Sequence, residues 1–361
     1  MKIAVFHNLP FGGAKRVLYE ELKALSKKHE VYLYQLSGEK DDVFDFRKYT
    51  KEFHEFKFSL ANEFPGFLNR LYSDYKKFFV LKKLHKAIAR EIDSSNFDVV
   101  LIHPDHYIQA PFLLRYLKTK KIYYCHELLR IAYEKQFTFD KNVILLKKWY
   151  EKIIRLIMKN IDKTNARFAN IILTNSAYTK QNIKNAYQKE AIVCSPGVDT
   201  NFFKPVNKVI KDNILFVGDE DQILEKGFKN SLNIDLKGRY KIKKLVRNNK
   251  NDDLYLKRLY NRALVTVCLT QGEPFGMVPL ESMSCGTPVI ALDDGGYRET
   301  IVGGKTGFLV DKNAGQIQNK INYFVFDPVY SVTMGNSGRK YVKSKFTWEN
   351  HAQILEEAIK L

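Results

Sequence analysis

The chain has 361 residues, more than one hydrophobic core usually supports, and 45% hydrophobic with 13% aromatic residues supplies apolar surface for two. No run of about eighteen apolar residues occurs, which excludes a membrane-spanning helix, and the opening strand replaces a signal peptide, so the protein is expected in the cytoplasm. A net charge of +19 calls for an anionic partner, but there is no zinc-ligand spacing, RNA-recognition signature or basic low-complexity tail, which argues against nucleic acid.

Met1 to Phe6 reads as a strand and His7 to Gly13 as a loop. Ala14 to Lys28 has helical spacing through Val17, Leu18, Leu22 and Leu25, and Val31 to Leu36 forms a second strand. This is a βαβ opening. Gly12 and Gly13 at its turn either let the backbone approach a ligand or only make a tight turn. The third glycine of a dinucleotide fingerprint is missing and the Leu33 to Leu36 strand end offers no acidic ribose anchor, which argues against an oxidoreductase.

Residues 66–90 carry seven Lys/Arg against one acid, interleaved with large apolar side chains. Two readings stand for this segment. In one, basic heads meet an anionic bilayer while Phe and Tyr rings enter the interface. In the other, an amphipathic helix buries Leu71, Tyr75, Phe78 and Leu84 in its own domain. Residues 98–103 and 121–126 read as parallel strands ending in His103 and His126. Residues 143–161 place Leu146, Trp149, Tyr150, Ile153, Ile157 and Ile161 on one stripe, the pattern of a helix packed on a core. Ile171 to Thr174 is a further strand.

Ile214 to Gly218 reads as the strand that opens a second domain, and within the charged stretch 239–249 only Tyr240 to Val246 suits a strand. Leu264 to Leu269 is an apolar, β-branched run, followed by a Gly/Pro-punctuated loop at 271–276. A helix then carries Pro279 in its first turn and stops at Gly286, and Val289 to Leu292 supplies the next strand. In such a unit the loop and the helix N-terminus face the carboxyl edge of the sheet, where unpaired N–H groups and the helix dipole attract phosphate. Glu273 and Glu281, eight positions apart across this junction, can accept hydrogen bonds from hydroxyl groups on either side of that phosphate. Taken singly they are equally a solvated loop residue and a first-turn carboxylate. The four cysteines, at 125, 194, 268 and 285, lack Cys-x-x-Cys spacing and read as buried thiols rather than disulfides or metal ligands.

The run Glu273 to Ala291 (EPFGMVPLESMSCGTPVIA), with Gly295-Gly-Tyr-Arg-Glu-Thr300 and Gly304 to Val310, closely resembles the donor-site segment of glycosyltransferase family 4 over about forty residues. The resemblance implies an α/β protein of the GT-B fold, with two Rossmann-like domains facing across a cleft, here with a shortened second domain. It implies a retaining transferase that moves a hexose from a nucleoside diphosphate sugar without an essential metal or other cofactor. Glu273 looks like the first glutamate of the family's pair, against the transferred sugar, and Glu281 like the second, on the ribose. Backbone N–H groups of Phe275, Gly276, Met277 and Val278 would meet the sugar and distal phosphate, and the Gly12–Gly13 loop would lie near the phosphates or acceptor. The Tyr123-Tyr-Cys-His126-Glu127 context resembles the strand whose histidine hydrogen-bonds the donor sugar, which favours His126 over His103.

Asn175 to Thr179 resembles the family's last first-domain motif, and Ser195 to Pro205 its interdomain linker. The expected domains are therefore 1–205 and 206–346, with a C-terminal helix over 347–361, capped by Thr347, packing back on the first. After Gly218 the family has an arginine and then a Lys-Gly pair for the diphosphate. Here Lys226-Gly227 is kept but Asp219 replaces the arginine, a repulsive change of a few kcal/mol at short range, so the segment must turn Asp219 away or the clamp must be rebuilt. Only 45 residues separate Gly227 from Glu273, fewer than the family uses to hold the base. The acceptor is expected to be a saccharide, lipid-linked if the basic 66–90 segment meets a membrane, in cell-surface glycan or polysaccharide assembly. Two alternatives stand beside this reading: a non-catalytic sugar-nucleotide-binding protein of the same fold, and a basic nucleic-acid-binding protein.

Overall fold

The computed structural model describes residues 1–37, 44–60, 63–133, 145–218, 238–246 and 252–361. They divide into two compact units: Met1–Asn175, Thr179–Cys194 and Leu355–Leu361 make the first, Ser176–Tyr178 and Ser195–Ile354 the second.

Among the described residues the first unit has seven parallel strands: β1 (Lys2–Asn8), β2 (Glu30–Ser37), β3 (Glu52–Lys57), β4 (Val99–Asp105), β5 (Lys121–Cys125), β6 (Ile171–Thr174) and β7 (Ile192–Val193). Their order is β3-β2-β1-β4-β5-β6-β7. Ile3, Ala4, Val5 and Phe6 on β1 and Val99 to Ile102 on β4 are all fully buried, which explains their unbroken apolar sequence: both faces of the sheet are covered. The chain builds β2 and β3 on one side of β1, then crosses to β4 on the other. The carboxyl ends of β1 and β4 therefore flank a topological switch point.

The second unit repeats the plan with five described parallel strands: β8 (Asn213–Val217), β9 (Lys241–Leu245), β10 (Ala263–Cys268), β11 (Val289–Leu292) and β12 (Gly307–Val310), in the order β12-β11-β10-β8-β9. Its switch point lies between β8 and β10. The charged 239–249 stretch does supply the edge strand β9, whose exposed Lys241, Lys243 and Lys244 discourage pairing with another chain.

The observed boundary between the units falls after Cys194, earlier than the expected 205. The reason is apolar: Val198 and Phe203 are buried in the second core, the Val198 N–H donates to the Phe346 carbonyl, and Pro205 packs on Gly286.

In the first unit, helix α1 (Gly13–Leu25) follows β1, and α2 (Gly66–Tyr75) runs through a π-helical turn at Lys76–Val80 into α3 (Leu81–Ser94). Of α2 and α3, it is α3 that has an embedded face, through Leu81, His85, Ile88, Ala89 and Ile92. Phe67, Leu68, Leu71, Tyr75 and Phe79 are exposed, so of the two readings the one that buries Leu71 and Tyr75 in the domain core is not met at those residues. A second correction concerns α4 (Leu145–Arg167). Its expected core stripe faces solvent, with Leu146 79%, Trp149 58% and Ile153 52% exposed. The buried face is Ile154, Met158, Asp162, Asn165 and Ala166 instead. Polar anchoring sets this rotation: the Asp162 carboxylate accepts the Ala110 N–H at 3.0 Å, and the Asn165 amide donates to the Ala110 carbonyl at 2.7 Å.

The second unit contributes α5 (Asp253–Arg262) and α6 (Met277–Ser284), and the chain closes with α7 (Trp348–Lys360). Thr347 caps α7 as expected, its Oγ1 accepting the Asn350 N–H at 3.2 Å. From Leu355 onward this helix counts with the first unit, where Glu356 Oε1 meets His29 Nε2 at 2.8 Å and the Ile359 carbonyl accepts from Lys120 Nζ at 3.0 Å. The return therefore begins eight residues later than 347.

Candidate functional site

In the second unit the chain leaves β10 through a loop that ends at Gly276, the N-cap of α6, whose φ of +102° belongs to glycine. A Cβ there would also lie 3.0 Å from the Tyr297 ring. The Gly276 N–H donates to Glu273 Oε1 at 3.1 Å, so the carboxylate folds back over the start of the helix. The loop after β11 clamps the same segment: the Gly296 N–H donates to the Glu273 carbonyl at 2.8 Å, and Asp294 Oδ2 accepts the Gly272 N–H at 2.7 Å. Such close approach requires glycine, because a Cβ on Gly295 would sit 2.4 Å from the Glu273 carbonyl oxygen.

Phe275 is buried against Phe346, with ring centroids 5.7 Å apart, while Met277 and Val278 are half-buried beside the core. Pro279 stands in the first turn, where it costs no hydrogen bond. The helix ends at Gly286 in a Schellman arrangement, with Gly286 N–H to Met283 O at 2.9 Å and Thr287 N–H to Ser282 O at 3.1 Å. Glu281 is 1% exposed, and Oε2 accepts the Tyr260 hydroxyl of α5 at 2.9 Å. Because the strands are parallel, the ends of β8, β10 and β11 share one edge, which brings Gly218, the Glu273 loop and the Asp293–Gly296 loop to the switch point. Lys226, Gly227 and Asp219 lie outside the described residues.

In the first unit the carboxyl edge carries the Gly12–Gly13 turn, His103 and His126. Gly12 has φ +152°, and no heavy atom lies within 4 Å of the place a Cβ would occupy. Gly13 begins α1, and the Arg16 N–H closes its first turn on the Gly12 carbonyl at 3.2 Å. His126 follows β5 directly and is 6% exposed; its carbonyl accepts from the Asn175 amide at 2.7 Å, and its ring lies 4.4 Å from that of Tyr124. His126 Nε2 and His103 Nδ1 are 3.0 Å apart, and His103 Nε2 is 2.8 Å from Glu21 Oε2 on α1. His103, expected to be the lesser of the two histidines, is thus in direct contact with the other.

Glu21 and Tyr260 were not found by motif. Glu21 did leave a signal, since it falls on the apolar stripe of Val17, Leu18, Leu22 and Leu25, where a carboxylate needs a buried partner. Among the described residues no three His, Cys, Asp or Glu side chains converge as metal ligands, and all four cysteines are free and buried.

The sequence pattern of Glycosyltransferase Family 4 matches residues 11–202, more than half of the chain, and that of the Glycosyl transferases group 1 matches residues 213–341. The chain belongs to Glycosyltransferase Family 4. Among curated relatives, it is 42% identical over 88 residues to the alpha-1,3/1,6-mannosyltransferase ALG2 of Dictyostelium discoideum, a match covering 24% of this chain and 21% of that protein. The lipopolysaccharide core biosynthesis mannosyltransferase LpcC of Rhizobium leguminosarum is 34% identical over 101 residues, covering 28% of this chain and 29% of LpcC. These matches thus span under a third of each relative's length.

Whole-chain likeness comes from solved structures, which establish the GT-B fold of this family 4 chain. Sucrose-phosphate synthase from Thermosynechococcus elongatus superposes with a TM-score of 0.73 at 18% identity, covering 99% of this chain and 98% of that one. Anabaena HepE in complex with UDP-glucose gives 0.67 at 18% identity, covering 100% and 99%. For the family 4 chain the described helices include none long and apolar enough to cross a membrane.

Proposed function

We propose that this family 4 chain is a retaining glycosyltransferase that moves a hexose from a nucleoside diphosphate sugar to a saccharide acceptor without an essential metal. The observation that carries the reading is the junction of β10 and α6: a carboxylate, Glu273, folded over the N-terminus of a helix that opens at the switch point of a parallel sheet. The helix N-terminus stabilises negative charge on the leaving diphosphate, the largest single contribution in most group transfers. Glu273 orients the sugar, and Glu281, steadied by Tyr260, holds ribose hydroxyls. The names of the relatives, mannosyltransferases among them, and a structural neighbour seen with UDP-glucose support this substrate class.

The acceptor is lipid-linked, and the protein sits on an anionic membrane surface. Support comes from the first unit, where α2 and α4 pack together through Arg70–Glu151 at 2.9 Å and the Tyr150 hydroxyl on Asp74 at 2.7 Å. Leu68, Leu71, Leu146, Trp149 and Ile153 stay exposed among lysines, a combination suited to a charged bilayer interface.

Thermal-shift screening against nucleoside diphosphate sugars identifies the donor, because a ligand that binds only the folded state raises the melting point. Transfer from that donor to lipid-linked and soluble saccharides follows. The reading requires a stabilising donor and transfer that is lost in folded Glu273→Ala; no shift with any donor, or full activity in the variant, overturns it.

A further inference from the structure

We propose that the first unit holds a discrete site for one anionic lipid, with a phosphate-bearing head against Lys148, Lys152, Arg155 and Lys159 and hydrocarbon against Leu145, Trp149 and Leu156. Adsorption to a charged surface needs no such site, so this goes beyond the membrane contact proposed above. That the lipid is the acceptor's own anchor rests on the proposed transferase function, but its binding does not.

The leading part of α4 and the helical turn Arg130–Tyr133 enclose a cavity of about 510 Å³, within the range of about 300–1,000 Å³ usual for ligand pockets. Its walls are of two kinds. Lys148, Lys152, Arg155 and Lys159 recur every three or four residues and so share one flank of the helix, and no acidic side chain stands among the described lining residues. Leu145, Trp149 and Leu156, with Ile131 across the gap, form the apolar part, and all four are exposed. Two of the cations lie close to aromatic rings: Lys152 Nζ is 5.6 Å from the centre of the Trp149 ring, and Lys159 Nζ is 4.9 Å from that of Tyr133, whose hydroxyl donates to the Lys159 carbonyl at 3.5 Å. Bare phosphate or an acidic peptide would make no use of the apolar wall, and a neutral apolar ligand none of the cations. An amphiphile with an anionic head uses both.

The place of the cavity suits an acceptor anchor. Helix α4 leads into the amino end of β6 and therefore runs against the strands, and Asp162, near its end, already meets the Ala110 N–H just past the carboxyl end of β4. The earlier residues of α4, which line the cavity, thus project beyond the carboxyl edge, and Ile131 comes shortly after His126 in the chain. A lipid seated there presents its head at the edge that carries the Gly12–Gly13 turn and His126.

Trp149 reports occupancy, because the chain has two tryptophans and Trp348→Phe leaves it alone. The full chain with this change is titrated with dihexanoyl phosphatidate below its micelle concentration. The expected result is a saturable shift of Trp149 emission to shorter wavelength at one lipid per chain, with dihexanoyl phosphatidylcholine, inorganic phosphate and hexaglutamate each at least about tenfold weaker. Lys152→Glu with Lys159→Glu should weaken phosphatidate at least about tenfold, since two cations beside an anionic head are reversed, while Lys82→Glu with Lys83→Glu, the same charge change on exposed residues of α3, leaves it unchanged. No saturable shift, equal affinity for any of the other three probes, or equal loss in the two double variants overturns the site. If the cavity variant does not fold, the comparison among the probes decides. A chain that binds phosphatidate in this way but transfers no sugar from any donor sinks the proposed function and leaves the site standing, and an active chain with no saturable shift does the reverse.

Discussion

The hydroxyl of Tyr260, on the helix before β10, donates to Glu281 Oε2 over 2.9 Å, and both side chains are buried. A buried carboxylate deprived of one hydrogen bond costs about 1–3 kcal/mol. Tyr260→Phe keeps the ring and removes only the donor, so urea unfolding should show a loss in that range. The stabilising donor sugar should also shift the melting point less in this variant, since Glu281 loses a fixed orientation.

Gly295 lets the Glu273 backbone pack closely against the loop after β11. A methyl at Gly295 meets the Glu273 carbonyl oxygen at 2.4 Å, so the loop between β10 and α6 must move. Displacing a substrate-orienting group by about 1 Å costs on the order of 100-fold in rate. Gly295→Ala should lower kcat/KM by tenfold to 100-fold, and melting curves will show whether the fold is kept while kinetics fall.

Asp162 gives the first unit a stability that depends on pH. Burial pushes its carboxyl up to about 7, against the opposing pull of the Tyr187 hydroxyl at 2.8 Å and the Ala110 N–H. The folded pKa is raised above an unfolded value of about 3.9, so between these values the unfolded chain has released the proton that the folded chain still binds. This group therefore removes stability as pH rises through that window, with a slope of up to about 1.4 kcal/mol per pH unit. Unfolding free energies measured from pH 4 to pH 7 should fall more steeply in the native protein than in Asp162→Asn. Parallel curves would show that Asp162 is ionised throughout.

The exposed face of α4 predicts membrane behaviour. The native chain should sediment with anionic vesicles, and less so as salt rises. Leu146→Ser with Trp149→Ser removes two side chains that are 79% and 58% exposed, so the melting point should hardly change. Vesicle affinity should fall about tenfold to 100-fold, from partial burial of two large apolar groups at roughly 1.5–3 kcal/mol each when complete. Equal binding by the double variant would remove α4 from the interface.

Local rules made much of the second unit legible. Pro279 and Gly286 marked the two ends of α6, and the unbroken apolar runs of β10 and β11 announced strands buried on both faces. Glu273 at the strand end followed from the same spacing, because chain order through a βαβ unit fixes which edge a loop occupies. The C-terminal helix followed from the family resemblance, and its Thr347 cap from the side-chain oxygen at the helix start.

What the sequence by itself determined, then, was the order of the elements, their ends, and the edge to which Gly12, His126 and Glu273 are delivered, because propensity, capping and strand periodicity act between near neighbours. Only tertiary structure decided how those elements rotate and which distant side chains meet. The stripe of α4 was apolar yet faces solvent, since Asp162 and Asn165 found the Ala110 backbone more than fifty residues away. Glu21, His103 and His126 stand on three separate elements, and Tyr260 reaches Glu281 from another helix. Such pairings arise because a buried polar group must find a partner wherever the fold brings one, and that choice leaves no periodic trace in the chain.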